Sequence, residues 1–424
     1  MKNCFFIKGG KKLYGEVVNQ TSKNATLPIL SACILIKGKV RIYNYPKITD
    51  VENMLSILSK MGAKIEYLNK DIIVDTTDIS NLGIDAKLSK TMRSSIFLLG
   101  PYLSRFKNAM ITMPGGCNIG KRPIDIHISS MKRLGVKVCC LGDNIFFDSS
   151  EAKANTVKLR IPSVGATENI IQFACTLSGI TTILNAAREP EVVDLCNFLN
   201  ASGAKILGAG TNRITIYGVD CLNSIEYRPA GDRIAAGTIV AAVAMCGGDV
   251  TIKNAVPYQN LKFLKKVASM GCQIDIKNDT IHIVSDANLV SAKKISTGYY
   301  PNFPTDLQSI MLTVSAKAKG TTTIKETVFE NRFQIVEELL KCGAKFKQVN
   351  SKTIKVKGNN ALVANNLVAN ELRGGAALVL MGLAIKGESK IENINFIDRG
   401  YESLEKTLSS LGADIKRIWQ RKEF

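Results

Sequence analysis

Histidine is scarce in this chain of 424 residues, which has only His127 and His282. A zinc centre, or a mechanism that needs two histidines, has almost nothing to draw on. Cysteine occurs 11 times but never in a C-x-x-C spacing. No secretory leader is expected: Met1-Lys2-Asn3-Cys4-Phe5-Phe6 runs straight into a Gly/Lys stretch. Scattered cysteines, odd in number and without a leader, read as free thiols of a reducing cytosol, so a cytoplasmic protein is expected. Long hydrophobic runs are missing too. The longest, Ala235 to Cys246 and Gly374 to Ile385, are about a dozen residues, against the roughly 20 that a membrane helix needs. No membrane partner is expected. Aromatics amount to 6%, so the core must be aliphatic. With 46% apolar residues there is ample material for one, which excludes disorder as a description of the whole chain.

The charge is lopsided: 56 Lys and Arg against 36 Asp and Glu, a formal net charge of +20. A Lys-rich surface that keeps the protein soluble accounts for this, and so does a basic cleft for anionic ligands. A nucleic-acid partner is not expected. It would gather the charge in a stripe or arm with interleaved aromatics, whereas these lysines are spread along the chain.

What the chain does have is repetition. Six times an amphipathic, helix-like run reaches a small residue or thiol with Gly and passes into an alternating strand. The marker glycines are Gly62, Gly135, Gly203, Gly271, Gly343 and Gly412, separated by 73, 68, 68, 72 and 69 residues. A glycine there ends a helix by taking the left-handed conformation that a Cβ disfavours. The segments that follow, such as Ala63-Lys64-Ile65, alternate like a half-buried strand. In most copies a polar turn and a second strand complete a hairpin.

A second element recurs in phase. It is a helix apolar nearly all round, hence buried: Ala25 to Ile36, Ser94 to Leu103, Asn169 to Leu177, Ala235 to Cys246, Leu307 to Ala316 and Gly374 to Ile385. Each unit reads as strand, buried helix, strand, surface helix and hairpin. Three units in each half predict two similar α/β domains, barrel-like, with βαβαββ-type repeats, buried helices and outer sheets. Polar residues collect where the buried helices start: Lys23-Asn24, Thr91-Met92-Arg93, Ser163 to Asn169, Asp232-Arg233, Thr305-Asp306 and Leu372-Arg373. Capping accounts for Thr167 and Thr305. It does not account for a cation at four of the six helix starts, where the dipole is already positive. Such a cation needs a partner, and an anion-binding pocket supplies one.

One segment breaks the pattern: Met113-Pro114-Gly115-Gly116-Cys117-Asn118-Ile119-Gly120-Lys121-Arg122-Pro123-Ile124-Asp125. Its glycines and prolines predict an exposed, mobile loop with a thiol at its centre. Lys121 and Arg122 favour the thiolate of Cys117. Cys33, Cys175, Cys246 and Cys342 instead lie in apolar runs or at a helix end, as inert core residues do.

These segments, with Ser22-Lys23-Asn24-Ala25-Thr26-Leu27-Pro28-Ile29, Pro162-Ser163-Val164-Gly165-Ala166-Thr167-Glu168-Asn169, Ala187-Arg188-Glu189-Pro190-Glu191, Phe303-Pro304-Thr305-Asp306, Glu330-Asn331-Arg332-Phe333 and Ile397-Asp398-Arg399-Gly400-Tyr401, carry a resemblance. Over essentially its full length the sequence resembles the UDP-N-acetylglucosamine 1-carboxyvinyltransferases, the enolpyruvyl transferases that open peptidoglycan synthesis. The resemblance implies two inverted α/β domains of three repeats each, spanning residues 23–230 and residues 1–22 plus 231–424, with the active site in the cleft between them. It implies transfer of the enolpyruvyl group of phosphoenolpyruvate to the 3-hydroxyl of UDP-N-acetylglucosamine by addition and elimination, with release of phosphate and no metal or organic cofactor. It leaves the oligomeric state open.

Residue by residue, the resemblance implies that Cys117 donates a proton to the enol and forms a covalent adduct, and that Asp306 is the general base. Lys23, Asn24, Arg122 and Arg399 match phosphoenolpyruvate-binding positions. Arg93, Arg122, Pro123, Ile124, Asp125, Ile126, Ser163, Val164, Gly165, Asp306 and Val328 match positions that bind the UDP-sugar. The Pro-Gly-Gly loop is expected to close as a lid, and the thiol to react with the epoxide fosfomycin. Glu191 and Arg332 read as structural ion-pair members. Thr21-Ser22, Ala235 and Asn370-Glu371 depart from the usual pattern. Two rivals remain: the related 3-phosphoshikimate 1-carboxyvinyltransferase, and a non-catalytic anion-binding repeat protein.

Overall fold

The structure, a computed structural model, describes residues 2–80, 93–112, 124–142, 144–358 and 361–420. Its described residues cluster into two compact units. One holds the chain from Thr21 to Ala230; the other holds the residues up to Gln20 and those from Gly231 onward. Each has its own aliphatic core.

The Thr21–Ala230 unit is built on three helices: α1 (Lys23–Ala32), α2 (Leu99–Phe106, entered through the 3₁₀ turn Arg93–Leu98) and α3 (Val164–Ala174). α1 and α3 are buried over most of their length, as sequences apolar on every side require. Three amphipathic helices cover them: Thr49–Lys60, Asp125–Arg133 and Pro190–Ala201. The first buries Val51, Met54, Leu55, Ile57 and Leu58 and presents its polar side to water. Three sheets complete the unit. One orders Ile225–Tyr227, Lys39–Ile42, Asp71–Asp75 and Lys64–Leu68; another Lys205–Leu207, Arg213–Tyr217, Ile180–Leu184 and Thr156–Lys158; the third Asn108–Thr112, Asn144–Asp148 and Lys137–Leu141.

The other unit repeats the plan with α4 (Arg233–Cys246), α5 (Gln308–Lys317) and α6 (Leu372–Ala384). The strand β1 (Lys2–Gly9) runs antiparallel between Gly387–Glu392 and Asp414–Gln420, with Phe5 opposite Ile391 and Arg417. The sixth repeat thus borrows its missing hairpin strand from the start of the chain. The strand β2 (Leu13–Val18) lies parallel to Gly248–Lys253 in a second sheet, and the third is Lys294–Ser296, Thr321–Lys325, Thr353–Lys357 and Lys345–Asn350. Among the described residues the six sheets stay separate, and none closes into a barrel.

The marker glycines do what their recurrence predicts. All six have positive φ, from +81° at Gly343 to +111° at Gly271. The caps differ from expectation. Ser22, Ser163, Asp232 and Glu371 stand before α1, α3, α4 and α6, and their side chains accept the free N–H groups of the first turn. Thr167 lies inside α3, where its hydroxyl donates to the Ser163 carbonyl. Thr305 donates to Glu326 at 2.9 Å. Neither threonine is a cap: Ser163 fills the role for α3, and Pro304 precedes the 3₁₀ turn Thr305–Leu307 that leads into α5. The opposite helix ends are closed by cations. Lys317, the last residue of α5, donates to the Met245 carbonyl of α4 and, at 3.4 Å, to the Ala384 carbonyl of α6. Arg105 of α2 donates to the Ile34 carbonyl just past α1 at 3.0 Å.

Candidate functional site

In the Thr21–Ala230 unit the helix starts carry the expected residues. Lys23 is the first residue of α1, and its ammonium meets the buried Asp50 carboxylate at 2.7 Å. A cation at a positive helix end thereby finds its partner on the neighbouring surface helix. Asp50 gave no signal in the sequence, since it lies 27 residues away. Asn24 follows, half-buried. Arg93 opens the 3₁₀ turn before α2.

At α3, Ser163 caps the helix, and Val164 and Gly165 form its first turn. A Cβ on Gly165 would come within 3.2 Å of both His127 and Phe97, so a side chain there would press on both rings. His127 is buried, and its Nδ1 pairs with the Asn169 amide at 2.9 Å. With the amide donating, Nδ1 accepts and Nε2 carries the proton. Ile124 and Ile126 flank the start of Asp125–Arg133 and are buried, while exposed Asp125 pairs with exposed Arg160 at 2.6 Å. Cys117, Arg122 and Pro123 lie outside the described residues.

The other unit gathers more charge. Arg332 and Arg373 are 4% and 2% exposed, and both reach Asp306. Arg332 Nη2 lies 2.5 Å from Oδ1, and Arg373 Nη2 lies 3.5 Å from Oδ2. The carboxylate is thus held by both oxygens in the turn before α5. Four other guanidinium nitrogens, Nε and Nη1 of each arginine, are buried and meet no acceptor. Burial works against the charge of Arg373, yet Tyr401, Asp306 and Asp232 outweigh it and raise its pKa above the ordinary value.

Glu326, 1% exposed, organises the adjoining loop. It takes the Thr305 hydroxyl at 2.9 Å, the Val328 amide at 2.7 Å and the Phe329 amide at 3.1 Å. Val328 and Thr305, the neighbour of Asp306, are therefore tied to one carboxylate. Arg399 ends the 3₁₀ segment Ile394–Arg399, half-buried. Reading the sequence left Arg332 as a structural ion-pair member and did not single out Glu326. The Glu330-Asn331-Arg332-Phe333 segment carried the signal for the first; a lone glutamate at the end of a strand carried none for the second.

Among the described thiols Cys139, Cys140 and Cys221 are exposed, and the others are buried as core residues. Burial pushes Cys33, Cys196 and Cys246 up to about 12. Among the described residues no cluster of His, Cys, Asp and Glu could hold a metal ion.

In the unit built on α4, α5 and α6, two buried arginines with unclaimed donors flank a carboxylate fixed in the turn before α5. This arrangement suits small substrates with several anionic groups. Comparison with known proteins agrees. Residues 7–408 match the model of the family described as EPSP synthase (3-phosphoshikimate 1-carboxyvinyltransferase). The enolpyruvyl transferase NikO from Streptomyces tendae has the same fold, with a TM-score of 0.89 over 98% of this chain and 99% of that one at 24% identity. EPSP synthase from Acinetobacter baumannii gives 0.76 at 16% identity, over 99% and 100%. Fold and family model together define the class, the enolpyruvyl transferases.

Curated relatives divide that class. UDP-N-acetylglucosamine 1-carboxyvinyltransferase 2 of Caldanaerobacter subterraneus is 45% identical over 98% of this chain and 99% of its own length. The UDP-N-acetylglucosamine 1-carboxyvinyltransferases of Halothermothrix orenii and Campylobacter fetus are 41% and 40% identical, over 98% and 97% of this chain and 99% and 98% of their own. The chain belongs to the UDP-N-acetylglucosamine 1-carboxyvinyltransferase family.

Proposed function

We propose that this protein transfers the enolpyruvyl group of phosphoenolpyruvate to the 3-hydroxyl of UDP-N-acetylglucosamine and releases phosphate. The observation that carries the reading is the pair of buried arginines around Asp306, with four guanidinium nitrogens that meet no acceptor. A buried guanidinium without acceptors is costly, and an anionic substrate supplies the acceptors. The relatives' names favour the UDP-sugar over shikimate 3-phosphate as the acceptor substrate. The family model alone leaves the two open.

The sugar 3-hydroxyl oxygen bonds to C2 of the enol while the methylene carbon takes a proton from Cys117 and the hydroxyl proton passes to Asp306. The Cys117 thiolate then takes a proton back from the new methyl group, restoring the double bond, as the C2–O bond to phosphate breaks and the phosphate leaves with the proton held by Asp306. Lys23, Asn24, Arg122 and Arg399 hold the phosphate and carboxylate of phosphoenolpyruvate. Arg93, Arg122 to Ile126, Ser163 to Gly165 and Val328 hold the UDP-sugar. No metal or organic cofactor has a step in this scheme. The product then serves peptidoglycan synthesis in the cytoplasm and, through it, cell shape and division.

Asp306→Ala is expected to abolish turnover while the UDP-sugar still binds, read by calorimetry beside a rate assay. A normal rate in that variant removes Asp306 from the mechanism. Fosfomycin is expected to add its mass to the peptide containing Cys117; an unmodified peptide after inactivation removes Cys117 as the target.

A further inference from the structure

Arg399 is the last residue of the 3₁₀ segment Ile394–Arg399, at the point where the regular backbone ends. The backbone after it is nonetheless held tightly, and one side chain does much of the holding. Gln20 Nε2 donates to the Gly400 carbonyl at 3.0 Å, and Gln20 Oε1 accepts from the Glu402 amide at 2.8 Å. The two groups are two residues apart, so the amide mimics a neighbouring strand across a bend where none exists. Gln20 is itself anchored: its carbonyl accepts from the Asp232 amide at 2.9 Å. Gly400 is buried, and a Cβ there would come within 2.8 Å of Leu372, at the start of α6.

The residue before Arg399 is gripped as well. Arg417 makes a two-pronged pair with Asp398, at 2.7 and 2.8 Å, and reaches Glu405 at 3.0 Å. Burial opposes the Arg417 charge less than Asp398 supports it, and the arginine's pKa is raised. The backbone that carries Arg399 is therefore fixed from both sides.

We infer that Gln20 is a positioning residue that sets the direction of Arg399 towards the phosphate or carboxylate of the enol substrate. The inference rests on the reading of Arg399 given above. A neutral amide suits this task, because it satisfies one donor and one acceptor without placing a negative charge beside the cation that must meet an anion. A glutamate at position 20 would keep the bond from Glu402, lose the bond to Gly400 and add that charge.

The test is a cycle of steady-state measurements on the full-length enzyme with Gln20→Met, Arg399→Ala and the double variant. Gln20→Met is expected to raise KM for phosphoenolpyruvate roughly tenfold, about what two lost hydrogen bonds supply, with KM for the UDP-sugar unchanged. In the Arg399→Ala background the same change is expected to add nothing, since Gln20 acts through Arg399. Gln20→Glu, which fills the same space, should show the same selective rise and serves if Gln20→Met does not fold. A selective rise that persists without Arg399, or equal rises for both substrates, overturns the inference. So does a silent Gln20→Met where Arg399→Ala is severe. A silent Arg399→Ala instead overturns the reading of Arg399 itself.

Discussion

Arg332 and Arg373 are almost fully buried, and the carboxylate shared between them leaves four guanidinium nitrogens without acceptors. Folding gains little from such a cluster, because charges taken out of water are offset only by full pairing. Glu168 poses the opposite case. It is 1% exposed in α3, neither oxygen has a partner, and burial, then Glu191 and Glu189, raises its pKa well above the usual carboxylate range. The folded protein therefore holds a proton there that the unfolded chain gives up. Its contribution to stability is complete below about pH 4.5, the ordinary value for a glutamate, and is lost as pH rises through the folded pKa. Glu168→Gln is expected to flatten the fall of the melting temperature between neutral and alkaline pH. Parallel curves for the two proteins would show that Glu168 is already ionised when folded.

Elements were the most legible part of the sequence. The six glycines mark true helix ends because a positive φ is cheap only for glycine. The apolar runs mark buried helices because no polar side remains to face water. Their starts were less legible. Arg93–Leu98 and Thr305–Leu307 form 3₁₀ turns, which share the helical pattern of apolar residues and so cannot be told from it. Caps were misread at Thr167 and Thr305, since several Ser and Thr residues compete at each start and only backbone geometry selects one. At the opposite ends Lys317 joins the carbonyl termini of α4 and α6 to α5. Lys317→Met is expected to lower unfolding free energy by about 1–3 kcal/mol, measured by urea denaturation. It should leave KM values unchanged, because its two bonds go to backbone carbonyls at the C-terminal ends of α4 and α6, opposite the helix starts. An unaltered midpoint would make the contact incidental.

At the scale of the molecule, the period of about 70 residues announced two three-repeat halves. It could not show that β1 and β2 complete sheets formed by the far end of the chain, because strand partners far apart in sequence leave no local pattern. The same limit explains why Lys23 was legible and Asp50 was not, and why Asp306 was legible while Glu326 was not. Short motifs are legible in the local pattern; the residues that hold them are brought in by the fold. The +20 charge is accounted for only in part by the described site. Much of it lies on outer sheet faces, as at Lys345, Lys347, Lys355 and Lys357.

The central claim is that two anionic substrates meet on this chain and exchange an enolpyruvyl group. Phosphate release from the purified protein tests it directly, with phosphoenolpyruvate and UDP-N-acetylglucosamine supplied singly, together, and with shikimate 3-phosphate in place of the UDP-sugar. Sustained release is predicted only from the first pair, with one enolpyruvyl-UDP-sugar formed per phosphate. Release from phosphoenolpyruvate alone, equal release with shikimate 3-phosphate, or none from the pair would contradict it.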